Sequence, residues 1–284
     1  MTEHYLALDS VPGDSEALTA TQPEATFIGN ATVLLRLGGF TVLTDPNFLH
    51  AGEHAKLGGG LRSRRLREPA LQPADLPAID VVLLSHHHGD HFDEVAIREL
   101  DKQLPIVTTT GAARKLRRQG FVRPFPLETG DVCTVTRGGR ELRITAQPGT
   151  HGAGLLGAVL PQVMGSMLEL PADSDDPGYR LYITGDTLVH DDLRAIPANH
   201  PDIDCALLHL GGTKVLGVLL TMDGEQGVEL LRIVRPRHAV PIHTDDYTVQ
   251  RSPLSAFTAA AAGAPDVTTQ ISLLPRGQKV PLPR

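Results

Sequence analysis

The stretch Leu83–Asp93 reads LLSHHHGDHFD and contains four of the thirteen histidines in a chain of 284 residues. It begins inside the apolar run Val81–Leu84, which is typical of a strand that is buried on both faces. Imidazole and carboxylate groups therefore follow directly after a buried strand. A run of histidines on an ordinary surface loop would not need this placement, so the stretch predicts a metal site.

The spacing within this stretch brings four potential metal ligands together. His86 and His88 lie two residues apart, so in extended backbone both point to the same side. Asp90 and His91 follow a glycine, which lets the chain turn sharply. His87 lies between two ligands and is expected to point away from the metals. Imidazole combined with carboxylate suits zinc, iron or manganese.

The composition excludes several classes of protein. Hydrophobic residues make up 41% of the chain and charged residues 21%, which excludes collagen, coiled coils and general disorder. The net charge of −7 argues against a dedicated nucleic-acid-binding protein. Two cysteines without a Cys-x-x-Cys pair cannot form a disulfide framework. The sequence shows neither a signal peptide nor a membrane span, so we expect a cytoplasmic protein without integral membrane association.

The order of the predicted elements indicates a layered α/β protein. Strands dominate the first part, helices separate the later strands, and this pattern favours mixed sheets over a doubly wound order. Residues 1–23 are polar and rich in turn-forming residues, so a loosely ordered N-terminal arm is expected there. Residues 50–78 contain three consecutive glycines and four arginines and predict a long loop. No linker separates two cores, which predicts a single domain over residues 24–284.

The pattern His-x-His-x-Asp-His resembles the metal motif of the metallo-β-lactamase superfamily. That family needs three further ligands, and each has a candidate at the end of a predicted strand: His151 in AQPGTHG, Asp186 in LYITGDT and His243 in AVPIHT. The resemblance implies a four-layer αβ/βα sandwich, in which two mixed β-sheets are flanked by helices. It also implies a hydrolase domain with two metal ions between the edges of the sheets.

The resemblance implies two divalent metal ions, with zinc as the first expectation and manganese or iron as alternatives. Carried onto this chain, it places one metal at His86, His88 and His151. It places the second metal at Asp90, His91 and His243, with Asp186 as a bridge between the two. A water between two cations loses its proton near neutral pH and becomes a nucleophile. Asp90 is also a candidate for orienting that water or accepting its proton.

The N-terminal stretch TFIGNATVLL at residues 26–35, followed by LTDP at 43–46, gives a narrower resemblance. It is similar to the branch that includes ascorbate-6-phosphate lactonase and the phospholipase D that hydrolyses N-acyl-phosphatidylethanolamine. Members commonly have a histidine where this chain has Asn30, which leaves open whether Asn30 contacts substrate, supports a ligand or does neither. By the same analogy Asp45 orients a metal-bound imidazole. A turn residue before Pro46 is the alternative.

Four further features can each be interpreted in functional or in structural terms. His209 ends another predicted strand and is either part of the pocket or a structural histidine. Tyr247 either donates a hydrogen bond to a substrate oxygen or lies in a surface turn. The Arg62–Arg67 segment is either a mobile lid that captures an anionic group or a solvated or subunit-contact loop. The apolar run Gly154–Leu160 either lines a pocket for an acyl or ring group or belongs to the core.

These features favour a binuclear metal hydrolase that cleaves an ester, lactone or phosphodiester of a small molecule, which is anionic or acylated. The alternatives are a di-iron oxidoreductase of the same fold and a non-catalytic metal-binding protein. Nucleic-acid-processing members of the family usually carry an inserted domain or a basic arm, so no nucleic-acid partner is expected for this chain. A homo-oligomer is left open.

Overall fold

The computed structural model describes residues 2–9, 22–152, 160–172, 177–215 and 217–284. Its N-terminal part contains strands β1 (Glu3–Ala7), β2 (Glu24–Gly29), β3 (Thr32–Leu37), β4 (Phe40–Thr44), β5 (His54–Gly58), β6 (Leu61–Arg64), β7 (Val81–Leu84), β8 (Ile106–Thr109) and β9 (Pro124–Leu127), with helices α1 (Glu94–Glu99) and α2 (Thr110–Arg118). Its C-terminal part contains strands β10 (Val132–Arg137), β11 (Arg140–Gln147), β12 (Gly165–Leu170), β13 (Tyr179–Ile183), β14 (Cys205–His209), β15 (Lys214–Val215), β16 (Val218–Leu219), β17 (His238–Ile242), β18 (Gln270–Ile271) and β19 (Lys279–Pro281), with helices α3 (Ile196–Asn199), α4 (Gly224–Val234) and α5 (Leu254–Ala262).

Two large mixed sheets organise these elements. One sheet has the strand order β19-β2-β3-β4-β7-β8-β9, and the other has the order β1-β10-β11-β12-β13-β14-β17-β18. In the first sheet, β4, β7, β8 and β9 are parallel neighbours. In the second, β13, β14, β17 and β18 are parallel neighbours. Because parallel strands end at the same edge of a sheet, the segments that follow them are brought together there.

Alternation of side chains along the strands produces four layers. In β7, Val81 and Leu83 belong to the apolar cluster between the two sheets, which also includes residues of β10 to β14. Val82 and Leu84 face the other way, into a cluster shared with α1 and α2. Strand β14 alternates between the central cluster and a third cluster that includes α4. The order helix–sheet–sheet–helix confirms the predicted αβ/βα sandwich of two mixed sheets flanked by helices.

The N-terminal segment differs from the expectation of a loosely ordered arm over residues 1–23. Residues 3–7 form β1, which pairs in parallel with β10. Residues 10–21 lie outside the described part of the chain. Along β1 only Leu6 is buried, so the strand has no repeated apolar alternation that would have identified it from sequence.

A second difference lies in residues 50–78, which the sequence predicts to be a long loop. Strands β5 and β6 form an antiparallel hairpin in this range. Gly58, Gly59 and Gly60 make its turn with φ values of 86°, 55° and 81°, a region that L-residues with side chains rarely adopt. The hairpin is mostly polar, with only Ala55 and Ser63 buried, and this hides its alternation in the sequence.

The helices are short in relation to the thickness of a membrane. The longest of those in the described ranges, α4, has 11 residues, whereas a span requires about 20 apolar residues. None of the described helices has both the length and the apolar character that crossing a bilayer demands.

The packing of β1 leads to a test of this strand. Leu6 is 2% exposed and belongs to the cluster between the sheets, so Leu6→Ala should lower the free energy of unfolding by about 2–5 kcal/mol. Tyr5, its neighbour on the opposite face, is 69% exposed, and Tyr5→Ala should change it by no more than about 0.5 kcal/mol. Urea denaturation of both variants measures the difference. Equal effects of the two substitutions would show that β1 is not packed on the sheet.

Candidate metal centre

The side chains expected to bind metal all lie at the ends of strands in the two sheets. From the seven-stranded sheet, Asp45 follows β4 and the segment 86–91 follows β7. From the eight-stranded sheet come His151 after β11, Asp186 after β13 and His243 after β17. Because these ends meet where the edges of the sheets face each other, residues far apart in sequence form one site.

The structure brings the seven expected ligands into two groups, within which the candidate ligand atoms lie within 4.8 Å of one another. The first group consists of His86, His88 and His151. The second group consists of Asp90, His91, Asp186 and His243. All seven side chains are buried. The groups separate the six histidine and aspartate residues that the resemblance assigns to one metal or the other, and Asp186, which it places between the two metals, lies in the second group.

Short distances between ligand atoms characterise both groups. In the first, His86 Nε2 lies 3.0 Å from His88 Nδ1. In the second, His91 Nε2 lies 3.2 Å from Asp186 Oδ2, and His243 Nε2 lies 3.5 Å from Asp90 Oδ2. Ligand atoms that each lie about 2.0–2.2 Å from a common ion are themselves about 3–4 Å apart. The spacing in both groups therefore suits ligation of a metal ion.

Buried polar atoms without partners provide a second test of whether these residues fit a metal. Among the described residues, Asp90 Oδ1, Asp186 Oδ1 and both ring nitrogens of His243 have no hydrogen-bond partner. Leaving such an atom unsatisfied costs about 1–3 kcal/mol, and more for a charged group. Cations held by these side chains would offset part of that cost, and the imidazole–carboxylate donor set suits zinc, manganese or iron. The residues therefore fit a metal centre.

Protonation in the first group favours metal binding. Burial lowers the pKa of His86 well below its usual value, and nearby His91 adds to the effect. Burial also lowers the pKa of His88 to about 4 and lowers that of His151. These rings are therefore neutral at physiological pH, which is the form that ligates a metal.

The second group provides an environment that attracts positive charge. Burial opposes the charged form of His91, but the carboxylates of Asp186, Asp90 and Asp45 outweigh it and raise the pKa of this ring well above its usual value. Burial likewise tends to raise the pKa of Asp186, yet the charges of His243 and His91 hold it well below its usual value. Ionised carboxylates in the interior need a compensating charge, which a metal cation would supply.

Asp45 contacts one expected ligand directly and a second one through Ser85, whereas the resemblance implies that it orients a single metal-bound imidazole. Its Oδ2 lies 3.2 Å from His91 Nδ1, so the Nε2 of His91 faces the ligand group. Ser85 Oγ lies 3.0 Å from Asp45 Oδ1 and 3.0 Å from His86 Nδ1. If His86 Nδ1–H donates to Ser85 and the hydroxyl donates to Asp45, the Nε2 of His86 is left with a free lone pair. Asp45 thus acts directly on one expected ligand and through Ser85 on another.

His209 lies behind Asp45 rather than in the cavity. It is fully buried, and its Nε2 is 3.6 Å from Asp45 Oδ2. Asp45, His91 and His209 form a third group of closely spaced ligand-type atoms, but His91 already turns its Nε2 toward the second group. The structure therefore places His209 as a neighbour of the supporting carboxylate, and it does not line the cavity described below.

Asn30 connects segments that carry two of the expected ligands. Its Nδ2 donates to Asp90 O at 2.7 Å, and its own O accepts from His243 N at 2.9 Å. Its backbone N donates to Asp246 Oδ2 at 2.8 Å, and Gln250 Nε2 donates to its side-chain oxygen at 2.7 Å. Each polar atom of Asn30 therefore has a partner within the protein, and the fully buried side chain lies in a position that supports the ligands.

Tyr247 differs from both of its predicted interpretations. It is buried, and its hydroxyl donates to Asn47 Oδ1 at 2.8 Å. In the Arg62–Arg67 segment, the buried Arg65 donates to Asn47 O at 3.1 Å and to Arg67 O at 2.9 Å. Arg62, Arg64 and Arg67 are exposed, the first two on strand β6.

A cavity of about 880 Å³ adjoins the two ligand groups. Four expected ligands line it: His88, Asp90, His151 and Asp186. The β5–β6 hairpin forms part of an apolar wall together with Phe92, and Leu160 also lines the cavity. Residues 154–159 of the predicted apolar run are outside the described ranges. The sequence analysis missed the contribution of α2, which lines the cavity with Arg114, Lys115 and Arg118. The spacing of four residues between Arg114 and Arg118 was the available signal, because it puts both on one helix face.

The sandwich of two mixed sheets and the histidine–aspartate groups at their shared edge define a metal-dependent hydrolase of the metallo-β-lactamase type. The chain belongs to the metallo-β-lactamase superfamily, because its residues 41–244 match the family described as beta-lactamase superfamily domain. The resemblance seen in the sequence is confirmed.

Two relatives and one solved structure illustrate the similarity. A protein of Thermus thermophilus named as a metal-dependent hydrolase is 28% identical over 239 residues, which cover 84% of this chain and 91% of the relative. An N-acyl-phosphatidylethanolamine-hydrolyzing phospholipase D of Caenorhabditis elegans is 24% identical over 266 residues, covering 84% of this chain and 72% of the relative. The crystal structure of an isothiocyanate hydrolase from Delia radicum gut bacteria has a TM-score of 0.77 at 22% identity, covering 92% of this chain and 100% of that one.

The contacts of Asp45 lead to a prediction on metal affinity. Asp45→Asn keeps the shape of the side chain but removes the charge beside His91, so metal affinity should fall about 10–100-fold. Competition with a chromophoric chelator measures the change. Asp223→Asn makes the same chemical change at the N-cap of α4, where asparagine caps equally well, and should leave the affinity as it is. An unchanged affinity in Asp45→Asn would contradict the supporting role of this carboxylate.

Proposed function

We propose that the chain holds two divalent metal ions and hydrolyses an ester, lactone or phosphodiester bond of a small molecule. The observation that carries this proposal is the pair of adjacent buried ligand groups that open into one cavity. When bound, two such cations would supply activation of a water molecule and stabilisation of the negative charge that develops on the substrate. Zinc is the first expectation for the metal, with manganese and iron as alternatives.

In this proposal the first metal would be held by His86, His88 and His151, and the second by Asp90, His91 and His243. Asp186 would serve both metals. Its Oδ2 lies beside His91 in the second group, while its backbone oxygen lies 3.1 Å from His151 Nδ1. This contact directs the other nitrogen of His151 into the first group, so Asp186 touches both groups.

Asp90 has the geometry to orient an attacking water. Its Oδ2 faces His243 Nε2 at 3.5 Å, whereas its Oδ1 has no partner among the described residues. The side chain also lines the cavity. One oxygen can therefore ligate a metal while the other accepts a hydrogen bond from water, and no serine or cysteine nucleophile is needed.

The relatives support hydrolysis as the reaction class. The substrates in their names differ and include a phospholipid and an isothiocyanate. The names therefore do not specify the bond cleaved by this chain. Its substrate has to be inferred from its own cavity, whose volume of about 880 Å³ is in the range of small-molecule sites.

Metal reconstitution combined with a substrate panel tests the proposal. The metal-free protein is loaded separately with zinc, manganese and ferrous iron, and metal content is compared with hydrolysis of chromogenic esters, lactones and phosphodiesters. We expect two metal ions per chain and turnover of at least one substrate class. A content well below one metal per chain in excess metal would contradict the proposal. Oxygen consumption with iron and no hydrolysis with any metal would favour the di-iron oxidoreductase.

The proposed bridge leads to a second prediction. Asp186→Ala should reduce hydrolysis by several orders of magnitude and lower the metal content, because it removes a ligand from between both groups. His87→Ala is the positional control. His87 lies within the same motif, but its Nε2 bonds Gln119 Oε1 at 2.9 Å, so this variant should retain both metals and most of the activity. Comparable losses in the two variants would mean that the ligand assignment is wrong.

A further inference from the structure

The cavity next to the ligand groups has a cationic wall that no assigned role explains. Arg114, Lys115 and Arg118 of α2 line it, and all three side chains are exposed. Within the described residues, Arg114 and Arg118 make no hydrogen bond or ion pair, and Lys115 Nζ only approaches His87 O at 3.5 Å. Three positive charges therefore face the cavity without a neutralising carboxylate.

Several other basic side chains of the protein pair with carboxylates, in contrast to those of the cationic wall. Ion pairs join Arg137 to Asp80, Arg180 to Glu169 at 2.9 Å, Arg232 to Asp266 at 2.7 Å and Arg237 to Asp204 at 2.8 Å. Even on α2, the neighbouring Arg117 donates to Pro124 O at 3.2 Å and does not line the cavity.

The carboxylates that line the cavity are engaged elsewhere. Glu94 pairs with Lys56 at 2.6 Å. Asp93 caps α1 and accepts hydrogen bonds from the backbone of Phe48 and Leu49. The remaining two carboxylates are the proposed metal ligands Asp90 and Asp186. Among the residues that the structure describes, the cations of α2 therefore have no anionic partner inside the cavity.

Packing fixes the cationic wall in place beside the ligand groups. The opposite face of α2 buries Ala112, Ala113 and Leu116 in the apolar cluster beneath it. Just past its C-terminal end, Gln119 bonds the side chain of His87, and the next residue along the chain is the expected ligand His88. An anionic group of the substrate that binds to this wall would therefore lie close to the bond that is hydrolysed.

Another part of the cavity wall is apolar. Leu57 and Leu61 of the β5–β6 hairpin line it, together with Leu49, Phe92 and Ile97. A substrate that matches this cavity has an apolar portion and an anionic group on the same small molecule. The combination excludes a purely polar substrate such as a free sugar, which would leave the apolar surface in contact with hydroxyl groups.

We infer that α2 is the specificity element of the site, and that the substrate is a small amphipathic molecule whose carboxylate or phosphate group is bound by Arg114, Lys115 and Arg118. Arginine forms paired hydrogen bonds with either anion. The apolar part of the substrate lies against the hairpin and Phe92, and the bond to be hydrolysed lies at the ligand groups. This inference rests on the proposed hydrolase function.

A pair of matched substrates tests the inference kinetically. The mono-4-nitrophenyl ester of octanedioic acid keeps one free carboxylate, and its methyl ester is a neutral molecule of nearly the same size. The double variant Arg114→Gln/Arg118→Gln should raise KM for the anionic ester by about tenfold or more, with kcat and the KM of the neutral ester little changed. Added salt should raise KM only for the anionic ester.

Arg117→Gln is the control, to be compared also with Arg114→Gln alone, because it removes one positive charge from the same helix outside the cavity. It should leave KM for both esters unchanged, and thermal unfolding verifies that each variant is folded. If Arg117→Gln and the double variant changed KM for the anionic ester equally, the effect would come from the overall charge of the helix. The proposed subsite would then be refuted. Equal KM values for the two esters in the wild-type protein would also overturn it, while leaving the hydrolase function intact.

Calorimetric binding of hexyl phosphate, hexanoate and hexanol separates this inference from the proposed function. In the metal-free protein, at least one of the two anions should bind, with an affinity that falls about tenfold in the double variant, and hexanol should bind more weakly. The stronger of the two anions identifies the preferred group. If this binding is seen and no substrate is hydrolysed, the subsite stands and the hydrolase proposal fails. If neither anion binds the wild-type protein, the subsite is refuted.

Discussion

The candidate metal centre depends on three carboxylates that stay charged in the interior of the protein, where the edges of the two sheets meet. Asp45, Asp90 and Asp186 are each almost completely buried, and an ionised carboxylate in that environment is unfavourable unless it is compensated. The surrounding imidazoles provide part of the compensation, as the raised pKa of His91 shows. One oxygen each of Asp90 and Asp186 has no partner within the described part of the chain, and a metal ion at this site would supply the remaining compensation.

The backbone around the site is held in conformations that are unfavourable by themselves. Asn30, Asp45 and His243 have φ values of 54°, 36° and 60°, and positive φ in residues other than glycine costs on the order of 1–3 kcal/mol. Each is fixed by a buried hydrogen bond: Asn30 N to Asp246, Asp45 N to Leu83 O, and His243 N to Asn30 O. The sheets thus hold the ligands in place before a metal binds, which reduces the reorganisation that binding requires.

The ligand groups could be predicted from the sequence, because their signal is local. Each expected ligand follows a short apolar strand, and the order of the strand ends is that of the family. The roles of Asn30 and Tyr247 depend instead on partners that are remote in sequence. Asn30 bonds Asp246, 216 residues away, and Tyr247 bonds Asn47, 200 residues away. No periodicity or spacing in a single sequence reveals such pairs.

The fold was predictable to a similar degree, and its errors have a physical cause. Alternating burial of apolar residues identifies strands such as β7 that are packed on both faces. It fails for β1, where a single leucine is buried, and for the β5–β6 hairpin, where polar side chains predominate. In α2, the spacing of Arg114 and Arg118 shows that they share a face. Only the packing of Ala112, Ala113 and Leu116 on the sheet decides that this face lines the cavity.

Substitutions in the metal centre and substitutions in the cavity walls differ in their cost to stability. This difference explains how one fold can serve several reactions. Substitutions at the ligand groups leave buried charges uncompensated, which costs about 3–5 kcal/mol when one partner of a buried pair is removed. Substitutions of exposed side chains such as Arg114 and Arg118 usually change stability by about 0.5 kcal/mol or less. The walls can therefore change with the substrate while the ligand groups stay the same. Specificity in this chain is accordingly to be sought on α2 and on the hairpin, where a new side chain alters what the cavity binds without disturbing the buried carboxylates.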